Sequence, residues 1–236
     1  MFSLTGQPDT VTPQALSREE IAGIVADFAK AAANAMAAGF DGVEIHSSNG
    51  YLFHQFFSAQ SNQRTDEYGG SHENRARIFC EVLDAIGQVM PLDRVGFRLN
   101  PMLNRFHGLN VEADTVPMWE YVVRRANDYG LAFLHLTEPM SPQQIENTPG
   151  ALSDVGAHFR PIATMPIISN GGLTQSSGEA RLAAGLCDAV AYGKAWIANP
   201  DLLERFRRGA ALNAADVNTF YQGGEKGYLD YPTLAA

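Results

Sequence analysis

The sequence predicts an α/β fold built around a parallel β-sheet. Short apolar runs, which suit buried strands, alternate along the chain with longer amphipathic stretches, which suit helices. This alternation favours parallel strands joined by right-handed crossovers, because each helix returns the chain across the sheet. The predicted strands also end in polar or glycine residues. Since a parallel α/β sheet binds its ligand at the carboxyl ends of the strands, we expect the functional site there.

The first predicted element is a helix over about residues 18–38. Ser17 and Glu20 have the spacing of a capping box, so each can satisfy a backbone amide at the start of the helix. Apolar side chains recur behind them with helical periodicity, and Gly39 provides a stop. Residues 1–14 are polar and contain two prolines, which predicts a flexible lead-in.

Five apolar runs predict strands, and they cover residues 42–46, 95–99, 133–136, 166–169 and 189–192. The helical stretches between them include residues 74–88, 116–129 and 178–185. Five strands do not close an eight-stranded barrel, which leaves an open doubly wound sheet or a barrel that begins late. A dinucleotide-binding open sheet would place Gly-x-Gly-x-x-Gly after its first strand. Residues 46–51 are His-Ser-Ser-Asn-Gly-Tyr instead, so the open sheet is disfavoured.

The composition limits the classes of partner. The 236 residues carry 17 basic and 26 acidic side chains, a net charge of −9, which argues against nucleic-acid and anionic-membrane partners. No segment approaches the roughly 20 apolar residues that span a bilayer, and residues 1–10 lack the pattern of a signal peptide. Cys80 and Cys187 have no metal-ligand spacing and form no disulfide framework. We therefore expect no metal site and a cytoplasmic location.

The densest group of chemically useful residues follows the strand predicted at residues 42–46. His46 stands at its end, with Asn49 three residues further on and Tyr51 two beyond that. An imidazole and a carboxamide can both donate hydrogen bonds to one carbonyl oxygen and stabilise the negative charge that develops there. A nearby phenol can deliver a proton to carbon. Each residue alone is more often structural, but the three together at a strand terminus favour a catalytic and substrate-binding site.

Residues 39–52 resemble the fourth strand of the old yellow enzyme family, whose members carry His-x-x-Asn-Gly-Tyr or a close variant there. Residues 62–77 are similar to the long loop and helix entry that follow this strand in the family, and the resemblance extends from about Pro13 to Leu234. It implies a TIM barrel of the (β/α)₈ type that is incomplete, with strands 4–8 and their helices in one partial domain over residues 1–236. From the resemblance we expect no counterpart of the N-terminal hairpin and first three strands, which supply flavin contacts in relatives.

The resemblance also implies an FMN site. Arg98 corresponds to an arginine that faces the flavin ring, where a fixed cation would stabilise the anionic reduced form. Glycines at strand ends let the backbone approach a phosphate, and exposed amides with a cation bind it. The expected phosphate-binding residues are Asn170, Gly171, Gly172, Gly193 and Lys194. The family usually has arginine where Lys194 stands, and lysine lacks the bidentate fork of arginine.

Other residues have supporting roles in this interpretation. Tyr221 is expected to line the substrate pocket, with simple packing as an equally open alternative, and Gln222 departs from the glycine common in the family. Charged residues after the first predicted strand are expected to form pairs that fix a loop too long to pack by apolar burial alone. They are Arg64, Asp66, Glu73 and Arg75.

The function implied by the resemblance is an NAD(P)H-dependent flavin oxidoreductase. It would take hydride from NADPH or NADH onto FMN and reduce the activated C=C bond of α,β-unsaturated carbonyl or nitro compounds. His46 and Asn49 would hold the substrate oxygen, and Tyr51 would protonate the α-carbon. A competing hypothesis is a catalytically silent half-barrel that acts as a partner subunit or is a gene fragment. A weaker one is a phosphosugar-binding barrel, in which the three residues have no role.

Strands 4–8 by themselves would leave two strand edges unpaired. These edges carry residues 43–45 and 189–191. Unpaired edges with apolar faces favour association, because a parallel sheet is normally buried on both sides. We therefore expect the chain to self-associate or to pair with a missing N-terminal half.

Overall fold

The computed structural model describes residues 12–104, 108–140, 145–221 and 224–234. Its helices are α1 (Arg18–Ala37), α2 (Leu52–Phe57), α3 (His72–Gly87), α4 (Thr115–Ala126), α5 (Val155–Phe159), α6 (Gln175–Ala183), α7 (Lys194–Ala198) and α8 (Leu202–Arg208). Its strands are β1 (Val43–His46), β2 (Val95–Leu99), β3 (Phe133–Thr137), β4 (Ile167–Asn170) and β5 (Ala189–Val190). Strands and helices thus alternate as predicted.

Helix α1 confirms the predicted capping box. The Glu20 backbone N–H donates to Ser17 Oγ at 3.1 Å, and the Ser17 N–H donates to the Glu20 carboxylate at 2.7 Å. The helix packs against α3 through a face that includes the fully buried Ile21. Residues 12–16 have no regular structure, and the rest of the expected lead-in lies outside the described residues.

Within the described residues, five parallel strands form one sheet in the order β1-β2-β3-β4-β5. The register pairs His46 with Arg98, and Arg98 in turn with His135. A strand order that follows the chain order is that of a barrel wall, whereas a doubly wound sheet reverses its order at a switch point. The open-sheet alternative is therefore excluded, and these strands form part of an α/β barrel.

The two faces of this sheet differ in chemistry. One face packs under the helices, where the Phe97 ring lies 5.3 Å from that of Phe79 of α3 between centroids. The strand residues buried on this side are Ile45, Val95, Phe97, Leu99, Leu134, Leu136 and Ile167. Because successive side chains of a strand point to opposite faces, Arg98 and His135 lie on the other side. That second face is the one that a closed barrel would turn inward.

Strands β1 and β5 are the edges of the sheet, as predicted, and each pairs on one side only within the described part of the chain. The prediction of a strand over residues 189–192 is wrong at its end, because β5 stops at Val190. The Tyr192 hydroxyl donates to Thr174 O at 3.3 Å, and the Tyr192 ring lies 5.2 Å from that of Phe206. Packing of Tyr192 against α6 and α8 therefore draws the chain out of the sheet.

Helix α2 is an element that periodicity did not predict. Its buried residues are Phe53, His54, Phe56 and Phe57, which leave little polar face. A helix that is apolar around most of its circumference has no amphipathic signal in the sequence. Only the structure therefore reveals that the chain enters a helix immediately after Tyr51.

The described ranges contain no helix that is long and apolar enough to cross a membrane. In the same ranges, no group of three or more His, Cys, Asp or Glu side chains is placed to hold a metal ion. Cys80 and Cys187 are both free thiols.

Candidate functional site

The chain reverses direction sharply after β1. Asn49 and Gly50 both have positive φ, +57° and +76°, and the Tyr51 N–H donates to Ser48 O at 3.2 Å. Positive φ at both central residues is the signature of a type I′ turn, for which Asn-Gly is the preferred pair. The turn brings Tyr51 back to His46, and their ring centroids are 5.3 Å apart. Two of the three predicted catalytic residues are therefore adjacent.

Asn49, the third predicted residue, is oriented by a neighbour from the next strand. Asn100, which follows β2, donates from Nδ2 to Asn49 Oδ1 at 2.8 Å. Because the oxygen of Asn49 is engaged, its NH₂ group is the part that it offers to a ligand. The sequence marked Asn100 only as a polar strand end, since contacts between strands depend on the register of the sheet.

The surroundings of His46 favour its neutral form. Burial lowers its pKa from the ordinary 6.5, and the Arg98 cation lowers it further, while Glu44 acts in the opposite direction. A neutral imidazole carries one N–H, so His46 can donate a hydrogen bond without a positive charge. The turn therefore presents two neutral donor groups, on His46 and Asn49, beside one phenol.

Arg98 lies on the same face of the sheet as His46. One of its terminal nitrogens donates to Thr137 Oγ1 at 3.3 Å, and its Nε is buried without a hydrogen-bond partner among the described residues. A buried donor without a partner is costly, and such groups occur where a ligand supplies the acceptor. Arg98 is partly buried, and none of the ion pairs found among the described residues includes it.

A further ionisable pair on this face was not predicted. His135 Nδ1 lies 2.9 Å from Glu44 Oε2, and His135 Nε2 is buried without a partner among the described residues. Alternation alone places Glu44 with His46 on one face of β1. The register that brings His135 across β2 to reach Glu44 is a tertiary property, so the sequence could not reveal the pair.

Strand β4 leads into the first predicted phosphate loop. Asn170 Oδ1 is buried and has no hydrogen-bond partner in the described ranges. Gly171 has a φ of +109°, and a Cβ there would lie 2.5 Å from Glu138 O. Gly172 also has positive φ, +67°. The backbone conformation therefore favours glycine at both positions. At Gly171 a side chain would also collide with the residue that follows β3.

The second predicted phosphate loop follows β5, the neighbour of β4. Lys194 is the first residue of α7, and Gly193 precedes it with a φ of −89°. A Cβ at Gly193 would meet no described atom within 4 Å. The backbone itself therefore does not require glycine at this position, in contrast to Gly171.

The remaining predicted residues lie elsewhere. Tyr221 follows a short 3₁₀ turn and is 88% exposed, and Gln222 lies outside the described residues. In the loop after α2, Arg64 forms the expected pair with Asp66, at 3.0 Å and 2.6 Å. Arg75 instead pairs with Asp114, at 2.6 Å. These ion pairs fix the loop, and Arg64 also lines a cavity that Gly50 and Tyr51 border.

Comparison with known proteins identifies relatives over most of the chain. The model of the NADH:flavin oxidoreductase / NADH oxidase family matches residues 3–213. The chain is 42% identical to 12-oxophytodienoate reductase 2 of Arabidopsis thaliana over 226 residues, which are 94% of this chain and 59% of the relative. It is 43% identical to a probable flavin mononucleotide-dependent alkene reductase of Leishmania infantum, over 94% of this chain and 58% of that protein.

Solved structures agree with these relatives. A morphinone reductase in complex with tetrahydroNAD superposes with a TM-score of 0.87 at 43% identity, covering 98% of this chain and 60% of that one. An old yellow enzyme homologue of Zymomonas mobilis gives a TM-score of 0.88 at 32% identity, covering 99% of this chain and 64% of that one. The chain thus spans about three fifths of the length of the proteins that it matches.

Proposed function

The chain belongs to the NADH:flavin oxidoreductase / NADH oxidase family, that of the old yellow enzymes, and we propose that the protein is an FMN-dependent ene-reductase. It reduces the activated C=C bond of α,β-unsaturated carbonyl or nitro compounds. The observation that carries this proposal is the turn after β1, which gathers two neutral hydrogen-bond donors and a phenol on the face that also holds Arg98. The relatives act as precedent, since they include a probable alkene reductase.

The polar atoms of this face fit FMN. Arg98 Nε, a donor, and Asn170 Oδ1, an acceptor, are buried and have no hydrogen-bond partner among the described residues. Both can therefore bond to a ligand. An arginine suits the electron-rich edge of a flavin, because its charge is permanent. When bound, FMN would supply the hydride chemistry, with NADPH or NADH as the source of hydride.

The phosphate group of FMN is assigned to the loops after β4 and β5. Gly171 and Gly172 have backbone conformations that other residues rarely adopt, and their amides would donate to the phosphate. Lys194 supplies a cation at the end of the neighbouring strand. Because lysine binds phosphate as a point charge and not through a bidentate fork, this contact carries less geometric restraint than arginine would give.

The substrate oxygen is assigned to His46 and Asn49. The neutral imidazole and the Asn49 NH₂ would each donate a hydrogen bond to it, which polarises the conjugated system and stabilises negative charge on that oxygen. Tyr51 would then donate its phenolic proton to the α-carbon. Tyr51 is 57% exposed, so its phenol can recover a proton from solvent. Tyr221 is retained as a substrate contact in this proposal.

Substitution of Tyr51 by Phe tests the assignment. The two half-reactions are measured separately by stopped-flow absorbance: reduction of the bound flavin by NADPH, and its reoxidation by an unsaturated ketone. Since general acid catalysis contributes about 10²- to 10⁴-fold, Tyr51→Phe should slow reoxidation by about that factor and leave reduction unchanged. Tyr121→Phe, which removes a hydroxyl on α4, should change neither. Equal losses in both half-reactions of Tyr51→Phe would contradict the role.

A second function is favoured by one specific observation, the unpaired edges β1 and β5 of the described sheet. We propose that these edges pair with a second copy of the chain or with a segment equivalent to the earlier barrel strands. In the extreme case the chain is a catalytically silent partner subunit. Sedimentation velocity with added FMN separates the cases: a yellow, flavin-loaded species supports the enzyme, and a colourless oligomer supports the silent partner.

We also propose a cytoplasmic location. Cys80 and Cys187 are free, and burial raises the pKa of both thiols, which makes them poor nucleophiles. Free thiols suit a reducing compartment. Recovery of the protein in a membrane or secreted fraction after cell fractionation would contradict this location.

A further inference from the structure

Gly50, the residue between Asn49 and Tyr51, is held at both of its backbone polar groups by side chains of α2. Its N–H donates to His54 Nδ1 at 3.1 Å. Its carbonyl oxygen accepts from Gln55 Nε2 at 2.6 Å. His54 and Gln55, which are consecutive in α2, therefore hydrogen-bond to the turn that carries Asn49 and Tyr51.

His54 is suited to accept this hydrogen bond. It is 7% exposed, and burial lowers its pKa to about 4, so the imidazole is neutral at pH 7. Since Nδ1 accepts from Gly50, the ring proton resides on Nε2. The imidazole packs edge-on with Trp119 of α4, 5.1 Å between ring centroids. Trp119 is itself fully buried, so the acceptor is fixed to the core of the protein.

The turn needs such an anchor because its sequence does not fix its peptide groups. Asn-Gly suits the positive φ values of +57° and +76°, but glycine has no side chain and moves readily between conformations. The two hydrogen bonds from α2 hold the Gly50 peptide groups in one orientation. Without them the Gly50 peptide can rotate, and its rotation redirects Asn49 on one side and Tyr51 on the other.

We propose that His54 is a positioning residue, which with Gln55 clamps the Gly50 backbone and so sets the directions of Asn49 and Tyr51. The effect of His54 on catalysis rests on the proposed function. The two hydrogen bonds to Gly50 do not depend on it. Neither side chain is required to touch substrate or cofactor. The contribution of His54 is the acceptor at Nδ1, which distinguishes it from a residue that only fills the core.

Substitutions at His54 separate these two contributions. His54→Phe keeps an aromatic ring against Trp119 but removes the acceptor. His54→Asn loses the ring but places Oδ1 close to the former position of Nδ1. A positioning role therefore predicts that Asn preserves the turn and Phe does not, whereas a packing role predicts the reverse order. Gln55→Met removes the other half of the clamp at an exposed position, so it leaves the core intact.

The first readout needs neither flavin nor substrate. Amide exchange at Gly50 and the nuclear Overhauser effect between the His46 and Tyr51 rings are measured by NMR. In His54→Phe we expect Gly50 exchange to accelerate about tenfold, the equivalent of one lost hydrogen bond, and the ring–ring effect to weaken. His54→Asn should retain both signals. An unchanged ring–ring effect in His54→Phe and in Gln55→Met would overturn the proposal.

The second readout is the pair of half-reactions in the flavin-loaded protein. His54→Phe should slow alkene reduction about tenfold and leave flavin reduction by NADPH unchanged, and His54→Asn should restore the rate. Phe57→Leu is the control, because Phe57 also packs on Trp119 from α2, 5.3 Å between centroids. It should lower stability without changing either rate. If the wild type reduces no alkene, the proposed function fails while the NMR result still decides the clamp.

Discussion

Acidification should destabilise the protein through His54. The pKa of this histidine is lowered from the ordinary 6.5 to about 4 by burial. Above pH 6.5 both the folded and the unfolded states hold His54 neutral, so its burial costs nothing electrostatically. As the pH falls below 6.5, His54 binds a proton in the unfolded state but remains neutral in the folded state. Stability is therefore lost as the pH falls from 6.5 towards 4 and levels off below that range.

The size of the effect follows from the same two values. One proton bound only by the unfolded state changes the free energy of unfolding by about 1.4 kcal/mol per pH unit. Over the window from 6.5 to 4 this amounts to about 3 kcal/mol from one side chain. That is a large part of the roughly 5–15 kcal/mol by which domains are stable.

Urea unfolding measured by circular dichroism between pH 7 and 4 tests this prediction. His54→Phe has no proton to bind, so its free energy of unfolding should fall by about 3 kcal/mol less than that of the wild type over this range. Phe57→Leu, which lowers stability without removing an ionisable group, should follow the wild-type slope. Parallel curves for wild type and His54→Phe would refute the reasoning, because they would mean that His54 takes its proton equally in both states.

Two further predictions concern the proposed phosphate loops. Gly171→Ala should lower the free energy of unfolding by about 2 kcal/mol or more, because it adds a clash with Glu138 O to the cost of positive φ. Gly185→Ala is the matched control in urea unfolding, since Gly185 has a φ of +68° but a Cβ there meets no described atom within 4 Å. Equal losses of unfolding free energy in the two variants would contradict the clash at Gly171. Lys194→Arg should lower the Kd for FMN about threefold, measured by quenching of flavin fluorescence, because arginine binds phosphate with a bidentate fork. Lys194→Gln should weaken FMN binding, and a Kd that neither substitution changes would show that the loop does not hold the phosphate.

The elements predicted from the sequence are those whose signals are local. The start of α1 follows from Ser17 and Glu20 alone, since a capping box involves only neighbouring residues. Strand β2 has the predicted bounds because a buried strand in a parallel sheet is a continuous apolar run. Strand β5 ends earlier than predicted because Tyr192 packs on α6, and that contact is tertiary.

The sequence likewise predicted the residues of the candidate site but not the residues that hold them in place. His46, Asn49 and Tyr51 lie within six residues, so their proximity follows from a short turn whose Asn-Gly pair is visible in the sequence. Their supports are different. Asn100 reaches Asn49 from the next strand, and His54 reaches Gly50 from a helix with no amphipathic signal. Such supports depend on register and packing, which the order of residues does not encode locally.

The chemistry of the open face is set by the apolar core on the other side of the sheet. Phe97 packs on Phe79 of α3, so its neighbour Arg98 must point away from the helices. The register then places Arg98 opposite His46, where its charge helps to keep that imidazole neutral. A slip of one residue in β2 would bury the guanidinium under α3 and remove it from both the flavin and the substrate parts of the proposed site. In the proposed site Arg98 would therefore act on FMN as well as on His46, and the burial of Phe97 sets its direction for both.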